Sequence, residues 1–266
     1  MLSEAEHHSP RPTAQAVMGR AIILHNIFVK ALATPPDEVL ARFREPSMAD
    51  EKSKLAAGCE AMFSKHEKVL RAAGLWEQLE ENEREFFQTG AFETTERQRI
   101  DASWLAESIM CLLWAVGRVP QIPAYDQQVD PISNKFFQAG ERAHDMIDLA
   151  VLRQQPEIDK QRDWAELWHW RCRTHKLLEE KKIPATLPNG TTMVKLIQIA
   201  AGKAAEEGVF AEPIKNDFPA FGKPFQEISA DELFQIRSIV QERHRSLNWL
   251  CGYAPDNRWS QTPTDT

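Results

Sequence analysis

The sequence predicts an all-α protein, built as a single compact multi-helix bundle. Apolar residues recur at helical spacing in long segments, and no segment alternates polar and apolar residues for long, which argues against a sheet. The segments are bounded by capping residues and by Gly or Pro; Thr95 with Gln98 and Ser229 with Glu232 both match the capping-box pattern. Apolar residues make up 42% of the chain and include eight Trp and thirteen Phe, enough large side chains for a core.

The N-terminal half is predicted to be helical except at short stops. Apolar residues at helical spacing mark the first segment, and the Thr34-Pro35-Pro36 stop allows Pro into the first turn of the next helix. The predicted elements are helices from Thr13 to Ala33, from the proline stop to Arg44, from a cap at Ser47 to Gly74, short turns within Leu75 to Gln88, and a helix from Glu96 to Val116 ended by Gly117.

The C-terminal half begins with a proline-marked loop and ends with a tail that we expect to fold back on the body. A disordered tail has no use for both Trp249 and Trp259. The irregular segment before the last helix is rich in Phe and Pro and has room for one short strand. The predicted elements are helices from Ser133 to Leu152, Glu157 to Lys182, Thr192 to Glu207 and Ser229 to Cys251, with loops at Ile183 to Gly190 and Val209 to Ile228.

This pattern predicts a disordered N-terminus over residues 1–12 and one helical domain over residues 13–266. No linker is long or polar enough to require two domains, and the proline-marked loop over residues 117–132 is the best candidate for a sub-domain seam. A chain of 266 residues can bury about 75% of the surface that its unfolded form exposes.

The net charge is −7, from 32 basic and 39 acidic residues, which disfavours binding to nucleic acid or to an anionic membrane surface. The four cysteines are far apart and lie among apolar neighbours, as expected of reduced, buried thiols. No secretory signal is visible, and the apolar runs are shorter than a bilayer span. We therefore expect a cytoplasmic protein.

Polar side chains fall on the apolar faces of two predicted helices. At about 100° per residue, Glu107 lies in the middle of the apolar face of its helix, while Arg243 and His244 lie within that of the last helix, with Asn248 at its edge. A buried carboxylate requires a cation or several donors, and Arg is its natural partner. We expect Glu107 or Asp265 to pair with Arg243.

A third helix combines basic and aromatic residues. His169 and Arg173 lie one turn apart, and three tryptophans precede or flank them, among them Trp170. Such rings can stack a planar ligand or an Arg, although rings at this spacing are more often part of a core. Trp104, Trp170, Asn248, Trp249 and Asp265 are the candidate binding residues.

Two interpretations of the inward-facing polar residues stay open. Either they form a buried structural network that fixes the tail, or Glu107, His169, Arg173, Arg243 and His244 line a pocket. In an enzyme, the arginines would hold an anion, a histidine would be the general base and Glu107 would orient it. Because HExxH, GxSxG, the P-loop and GxGxxG are all absent, we expect no metal and no cofactor.

Several segments of the chain together match the pattern of one known family. They are Phe218 to Phe225, Glu242 to Tyr253, Arg258-Trp259, Thr264 to Thr266, Arg99, Trp104 and Glu107 before Leu113-Trp114-Ala115, and His169-Trp170 with Arg173. In these segments the chain resembles the bacterial domain-of-unknown-function family 4272 (DUF4272), and the resemblance covers about Thr13 to its end. The resemblance implies a bacterial, intracellular, mostly helical protein and assigns no role to the polar residues. One departure is Ser260-Gln261, where the family usually shows acidic residues, and it weakens the case for a metal in the tail.

Two hypotheses of function follow. The first is a protein-interaction module, of an adaptor or immunity type, which predicts an exposed apolar or acidic patch away from the buried network. The immunity role is an analogy with other small acidic bacterial proteins. The alternative is an enzyme that acts on a small polar or anionic substrate, which requires the candidate side chains to open onto a water-accessible cleft.

Overall fold

The computed structural model describes residues 9–131, 136–137 and 142–264, and it confirms the predicted mainly α-helical fold. Short 3-10 turns lie between several of the helices, and the described strands form one antiparallel pair, β1 (Pro219–Ala220) and β2 (Lys223–Pro224). The helices are α1 (Ala14–Ala33), α2 (Asp37–Arg42), α3 (Ala49–Ala72), α4 (Glu81–Gln88), α5 (Glu96–Ser103), α6 (Leu105–Ala115), α7 (Ala143–Asp148), α8 (Gln155–Glu179), α9 (Met193–Glu206) and α10 (Ala230–Leu250).

Helices α1, α6, α8 and α10 form the centre of the fold. Helix α6 packs against α1 and α10, and α10 packs against α8. Every residue of α6 after Leu105 is buried. One hydrophobic cluster extends from Val17 in α1 to Trp259 in the tail. Because each large apolar side chain that is fully buried contributes about 1.5–3 kcal/mol, this cluster is the main source of stability.

Helix α1 is long and apolar enough to cross a membrane, by length and composition alone, with 20 residues and a window of mean hydropathy 1.4. The expectation that every apolar run is too short is wrong for this helix. Within the structure, 67% of that window is buried, so its apolar side chains are in contact with the other core helices.

The predicted capping residues are mostly confirmed. The capping boxes at Thr95 and Ser229 open α5 and α10. Thr13, where the first helix was predicted to begin, is the capping residue before α1. The predicted cap at Ser47 is wrong, because Ser47 lies within a 3-10 turn and the residue before α3 is Met48. The backbone N–H of Met48 is already satisfied by the carbonyl of Glu45, at 3.0 Å.

The predicted helix from Glu96 to Val116 is two helices that meet at Trp104. The hydroxyl of Ser103 donates to the carbonyl of Ile100 (2.7 Å), and the N–H of Glu107 donates to the carbonyl of Trp104 (3.0 Å). These local bonds replace part of the regular helical pattern. The break separates α5, in which only Ala102 is buried, from the enclosed α6.

The predicted helix from Ser133 to Leu152 is shorter in the structure. Residues 132–135 and 138–141 lie outside the described part of the chain, and α7 ends at Asp148. The chain leaves the helix there and places Arg153 at the end of α6. The Arg153 backbone N–H donates to Ala115 O (2.8 Å), and its Nε donates to Trp114 O (2.7 Å).

Both ends of the described chain pack against the body. Ser9 N donates to Gly252 O (2.8 Å), and Arg11 pairs with Asp159 (2.9 Å), so residues 9–12 differ from the expectation of disorder. Residues 1–8 lie outside the described part. At the other end, the rings of Trp249 and Trp259 meet edge to face at 5.6 Å. The predicted folded-back tail is therefore confirmed as far as residue 264.

Candidate functional site

The centre of the molecule contains a buried ion pair between Glu107 of α6 and Arg243 of α10, and we call it the central ion pair. Both Nε and Nη2 of Arg243 lie 2.8 Å from Oε2 of Glu107. The other carboxylate oxygen, Oε1, accepts the backbone N–H of Val129 at 2.7 Å. Both residues are completely buried. Of the two partners that the sequence offered for Arg243, Glu107 is the one observed, and Asp265 lies outside the described residues.

The remaining donors of Arg243 bind the proline-marked loop. Nη1 donates to the carbonyls of Pro123 (2.6 Å) and Ala124 (3.1 Å), and Nη2 donates to that of Gln127 (2.8 Å). The guanidinium also lies over the ring of Tyr125, at 5.1 Å. Since a guanidinium has five N–H donors, this set of acceptors satisfies all of them. The ion pair therefore attaches the loop, the predicted seam, to the two central helices.

This geometry leaves Glu107 and Arg243 no capacity to bind a substrate. An anion clamp needs free donors that face water, and every donor of Arg243 is already used. A general base or an orienting carboxylate needs contact with a reacting group or with the catalytic histidine. Glu107 contacts Arg243 and Val129 instead. The pair matches the structural interpretation of the inward-facing charges.

A second polar cluster, the histidine pair, lies between α8 and α10. Nδ1 of His169 and Nδ1 of His244 are 2.9 Å apart, and Nε2 of His244 is 3.1 Å from Nδ2 of Asn248. The amide nitrogen of Asn248 also donates to Pro263 O (2.8 Å), and its oxygen accepts from Arg162 Nε (3.0 Å). The cluster thereby connects both helices to the tail.

These contacts determine which nitrogens carry protons. Because the amide of Asn248 donates, Nε2 of His244 accepts and its proton lies on Nδ1. That proton is donated to Nδ1 of His169. Burial is the main cause that lowers the pKa of His244 to about 3, and the neighbouring His169 and Arg162 contribute to the same shift. His244 is therefore neutral at physiological pH, and a base of such low pKa is poorly matched to proton abstraction near pH 7.

The other predicted site residues are dispersed. His169 is half-buried, and Arg173, one turn further along α8, is exposed. Trp170 packs against the edge of the core. Trp249 is buried and donates through Nε1 to Asn257 O (2.9 Å), which gives it a structural role in holding the tail. Trp104 lies where α5 meets α6 and lines a surface groove.

Another buried ion pair was not predicted from the sequence. Arg171 of α8 and Asp217 form a two-pronged contact, with Nε to Oδ1 at 2.7 Å and Nη2 to Oδ2 at 2.6 Å. Asp217 also accepts the backbone N–H groups of Phe218 (2.7 Å) and Gln226 (3.0 Å). The pair organises the turn that carries β1 and β2. Half of the signal was available, because Arg171 shares the apolar face of its helix with two tryptophans.

A groove with a volume of ≈ 720 Å³ lies between α4, α5 and α10, and we call it the α5–α10 groove. Its apolar lining includes Ile100, Trp104 and Phe234, and the ring of Trp104 meets that of Phe234 edge to face at 6.2 Å. Ile100 is 42% exposed and Phe234 is 60% exposed. Large apolar side chains that stay exposed together mark a binding surface more often than a structural one. The buried floor includes Leu24, Ile27, Phe86 and Trp259.

The described residues contain no cluster of three or more His, Cys, Asp or Glu side chains that is arranged to hold a metal ion. The four cysteines are all buried and unpaired. Burial raises the pKa of the thiols of Cys111, Cys172 and Cys251 to about 12 in each case, so these thiols are protonated and unreactive.

The fold and its polar clusters define a mainly helical protein whose central helices are joined by buried ion pairs. A sequence model of DUF4272, a domain of unknown function, matches residues 1–197, and the chain belongs to this family. The match includes Trp104, Glu107 and His169, whereas Arg243 and the other resembling segments after residue 197 lie outside it. No curated protein and no solved structure matches the chain.

Proposed function

We propose that the protein is an interaction module that binds another protein through the α5–α10 groove. The observation that carries this proposal is the exposure of Ile100 and Phe234, which belong to different helices and line the same groove. An exposed apolar side chain by itself is common, but two of them beside a tryptophan form a contiguous patch. The residues that line the groove do not include Glu107, His169, Arg243 or His244, so the patch is distinct from the buried network, as the interaction hypothesis requires.

The central ion pair supports this proposal because its two side chains have no free donor or acceptor with which to bind a substrate. Glu107 and Arg243 are enclosed and satisfy each other together with the backbone, so two of the five candidate catalytic residues are committed to structure. The net charge of −7 favours solubility and disfavours binding to nucleic acid. An adaptor or an immunity-type protein is the class that fits this combination.

Site-specific photo-crosslinking tests the proposal. A benzophenone amino acid at position 234 is expected to give a discrete adduct with a second protein in the cells that naturally produce the chain. The same amino acid at position 151 is the matched control, because Val151 is 73% exposed and does not line the groove. Circular dichroism of both variants checks that they fold.

The crosslinking pattern discriminates the outcomes. An adduct that forms from position 234 and is absent from position 151 supports binding through the groove. The proposal fails if the two positions give the same products, or if position 234 gives no adduct with another protein.

A further inference from the structure

Building on the proposed function, we infer that the partner presents an amphipathic helix to the α5–α10 groove and directs a carboxylate at Arg237. Arg237 lies on the α10 wall of the groove and is half-buried. The inference assigns the chemistry of the partner segment: apolar residues on one face, and an Asp or Glu beside them.

The α10 wall has the spacing of a single helix face. Its lining residues recur at intervals of three and one along the helix, which places them in one stripe. From the first to the last, the stripe covers twelve residues, a length of about 17 Å or three helical turns. A partner helix of similar length matches this wall. The lining residues of α10 are Phe234, Arg237, Ser238, Gln241, Glu242 and Arg245.

The groove favours docking by side chains. It has an apolar floor and a polar, charged rim, which is the usual arrangement of a protein interface. Its walls are helices, and the described strands β1 and β2 do not line it. A partner strand would therefore find no sheet edge there with which to form backbone hydrogen bonds, whereas a helix can insert apolar side chains at i, i+3 or i+4, and i+7.

The charges of the groove distinguish Arg237 from its neighbours. In the described part of the chain, Arg237 has no ion pair and no hydrogen bond to its guanidinium. Its guanidinium is therefore available to a partner, and Arg pairs with carboxylates through two parallel bonds. The other charges are mostly neutralised, in the pairs Arg97–Asp101 (2.8 Å), Arg245–Glu242 (2.8 Å) and Arg20–Glu83 (2.6 Å).

The remaining charged residue of the lining is Glu85 on the α4 wall, and it is exposed. An acidic residue of the partner would be attracted by Arg237 and repelled by Glu85. Among the described residues, the unpaired charge on the α10 wall is thus positive and that on the α4 wall is negative. This asymmetry also orients the partner helix, whose acidic residue must face α10.

A phage-displayed library of helix-forming peptides of about four turns tests the inference. Peptides selected on the wild-type protein are expected to carry Leu, Phe or Met at helical spacing and an Asp or Glu next to them. Selection on Arg237→Glu is expected to replace the acidic residue by Lys or Arg. Arg44→Glu is the matched control, since Arg44 is exposed, lies outside the groove and makes the same change of net charge.

Fluorescence anisotropy with one selected acidic peptide measures the effect. Arg237→Met is expected to weaken binding by about 10- to 100-fold, the range for a hydrogen bond to a charged group. Arg44→Met removes the same charge outside the groove and is expected to leave the dissociation constant unchanged. Phe234→Ala is also expected to weaken binding of the peptide, because it removes an apolar contact.

Three results would overturn the inference, and they separate it from the proposed function. If the selected peptides bind Phe234→Ala more weakly than the wild-type protein but carry no acidic residue, the groove remains a binding site and the role of Arg237 is refuted. If the peptides bind Phe234→Ala as tightly as the wild-type protein, both the proposed function of the groove and the role of Arg237 are refuted. Self-association in sedimentation equilibrium that Phe234→Ala abolishes would show that the occupant is a second copy of this chain.

Discussion

The central ion pair provides the sharpest test of the structure. We consider Glu107→Gln, which keeps the size of the side chain and removes its charge. The carboxylate accepts three donors, Nε and Nη2 of Arg243 on one oxygen and the N–H of Val129 on the other. A Gln amide has one oxygen, so either Arg243 or Val129 must then face an NH₂ group.

The magnitude follows from burial. Arg243 keeps only the neutral carbonyls of the proline-marked loop and becomes a buried charge without a counter-ion. Removing one partner of a buried ion pair costs about 3–5 kcal/mol. Since stability is typically about 5–15 kcal/mol, this change removes a large part of it. The equilibrium constant of unfolding is expected to rise by about 100- to 3,000-fold, because each 1.4 kcal/mol is a factor of ten.

Urea unfolding, followed by tryptophan fluorescence and circular dichroism, measures the change. Glu207→Gln is the matched control, because Glu207 pairs with Lys203 on the surface, with 45% of its side chain exposed. An exposed pair of this kind is worth at most about 0.5 kcal/mol. Limited proteolysis is expected to cut the loop over residues 120–131 faster in Glu107→Gln. A Glu107→Gln protein within about 1 kcal/mol of the control would refute the argument, since a buried pair should cost more.

Three further predictions concern other buried features. Asp217→Asn is expected to destabilise by about 3 kcal/mol in urea unfolding, because it breaks the buried pair with Arg171. In the folded protein the pKa of His244 is lowered to about 3, so as the pH falls the unfolded chain binds this proton before the folded chain does. The free energy of unfolding is therefore expected to fall as the pH drops below about 6.5. His244→Asn is expected to reduce the slope of this free energy against pH by up to about 1.4 kcal/mol per pH unit. Gly252→Ala is expected to destabilise by about 1–2 kcal/mol and to expose residues 9–12 to protease, because Gly252 has φ +83° and a Cβ there would collide with Ser9 O.

Each of these predictions has a matched control. Asp145→Asn removes an exposed partner of Arg142 and should leave stability nearly unchanged. His144→Asn changes an exposed histidine and should preserve the acid slope. Gly58→Ala lies in helix α3 with open space around its Cβ, so it should stabilise rather than destabilise. A variant that behaves like its control contradicts the contact on which its prediction depends.

Helix positions were largely predictable because their signals are local. The capping boxes at Thr95 and Ser229 depend on residues three positions apart, and the periodicity of α1 depends on residues within a few turns. The boundaries that failed depend on distant contacts. The end of α7 follows from the attachment of Arg153 to the last carbonyls of α6, which no local pattern reveals.

The polar clusters were predictable only in part. An inward-facing Glu107 and Arg243 are visible from helical spacing, and so is the demand that each have a partner. The spacing does not reveal that the backbone of the proline-marked loop completes the shell around Arg243. Asp217 was missed for the same reason, because it lies in an irregular segment where no period indicates which side chains point inward.

The α5–α10 groove could not be predicted from the sequence. Its walls come from helices more than a hundred residues apart, and the break at Trp104 that separates α5 from α6 has no strong local signature. Phe234 and Arg237 were each unremarkable in the sequence, as an apolar and a charged residue on an amphipathic helix. Only the tertiary structure shows that they line the same groove as Ile100 and Trp104.

By itself, the sequence determined the helical class, most helix starts, the inward direction of Glu107 and Arg243, and the return of the tail, because these depend on periodicity, capping and hydrophobicity within short stretches. The tertiary structure alone decided which charges pair, that His244 is shielded and neutral, and where an apolar surface remains uncovered. Pairing and exposure depend on which distant segments meet, and that is a property of the packed chain as a whole.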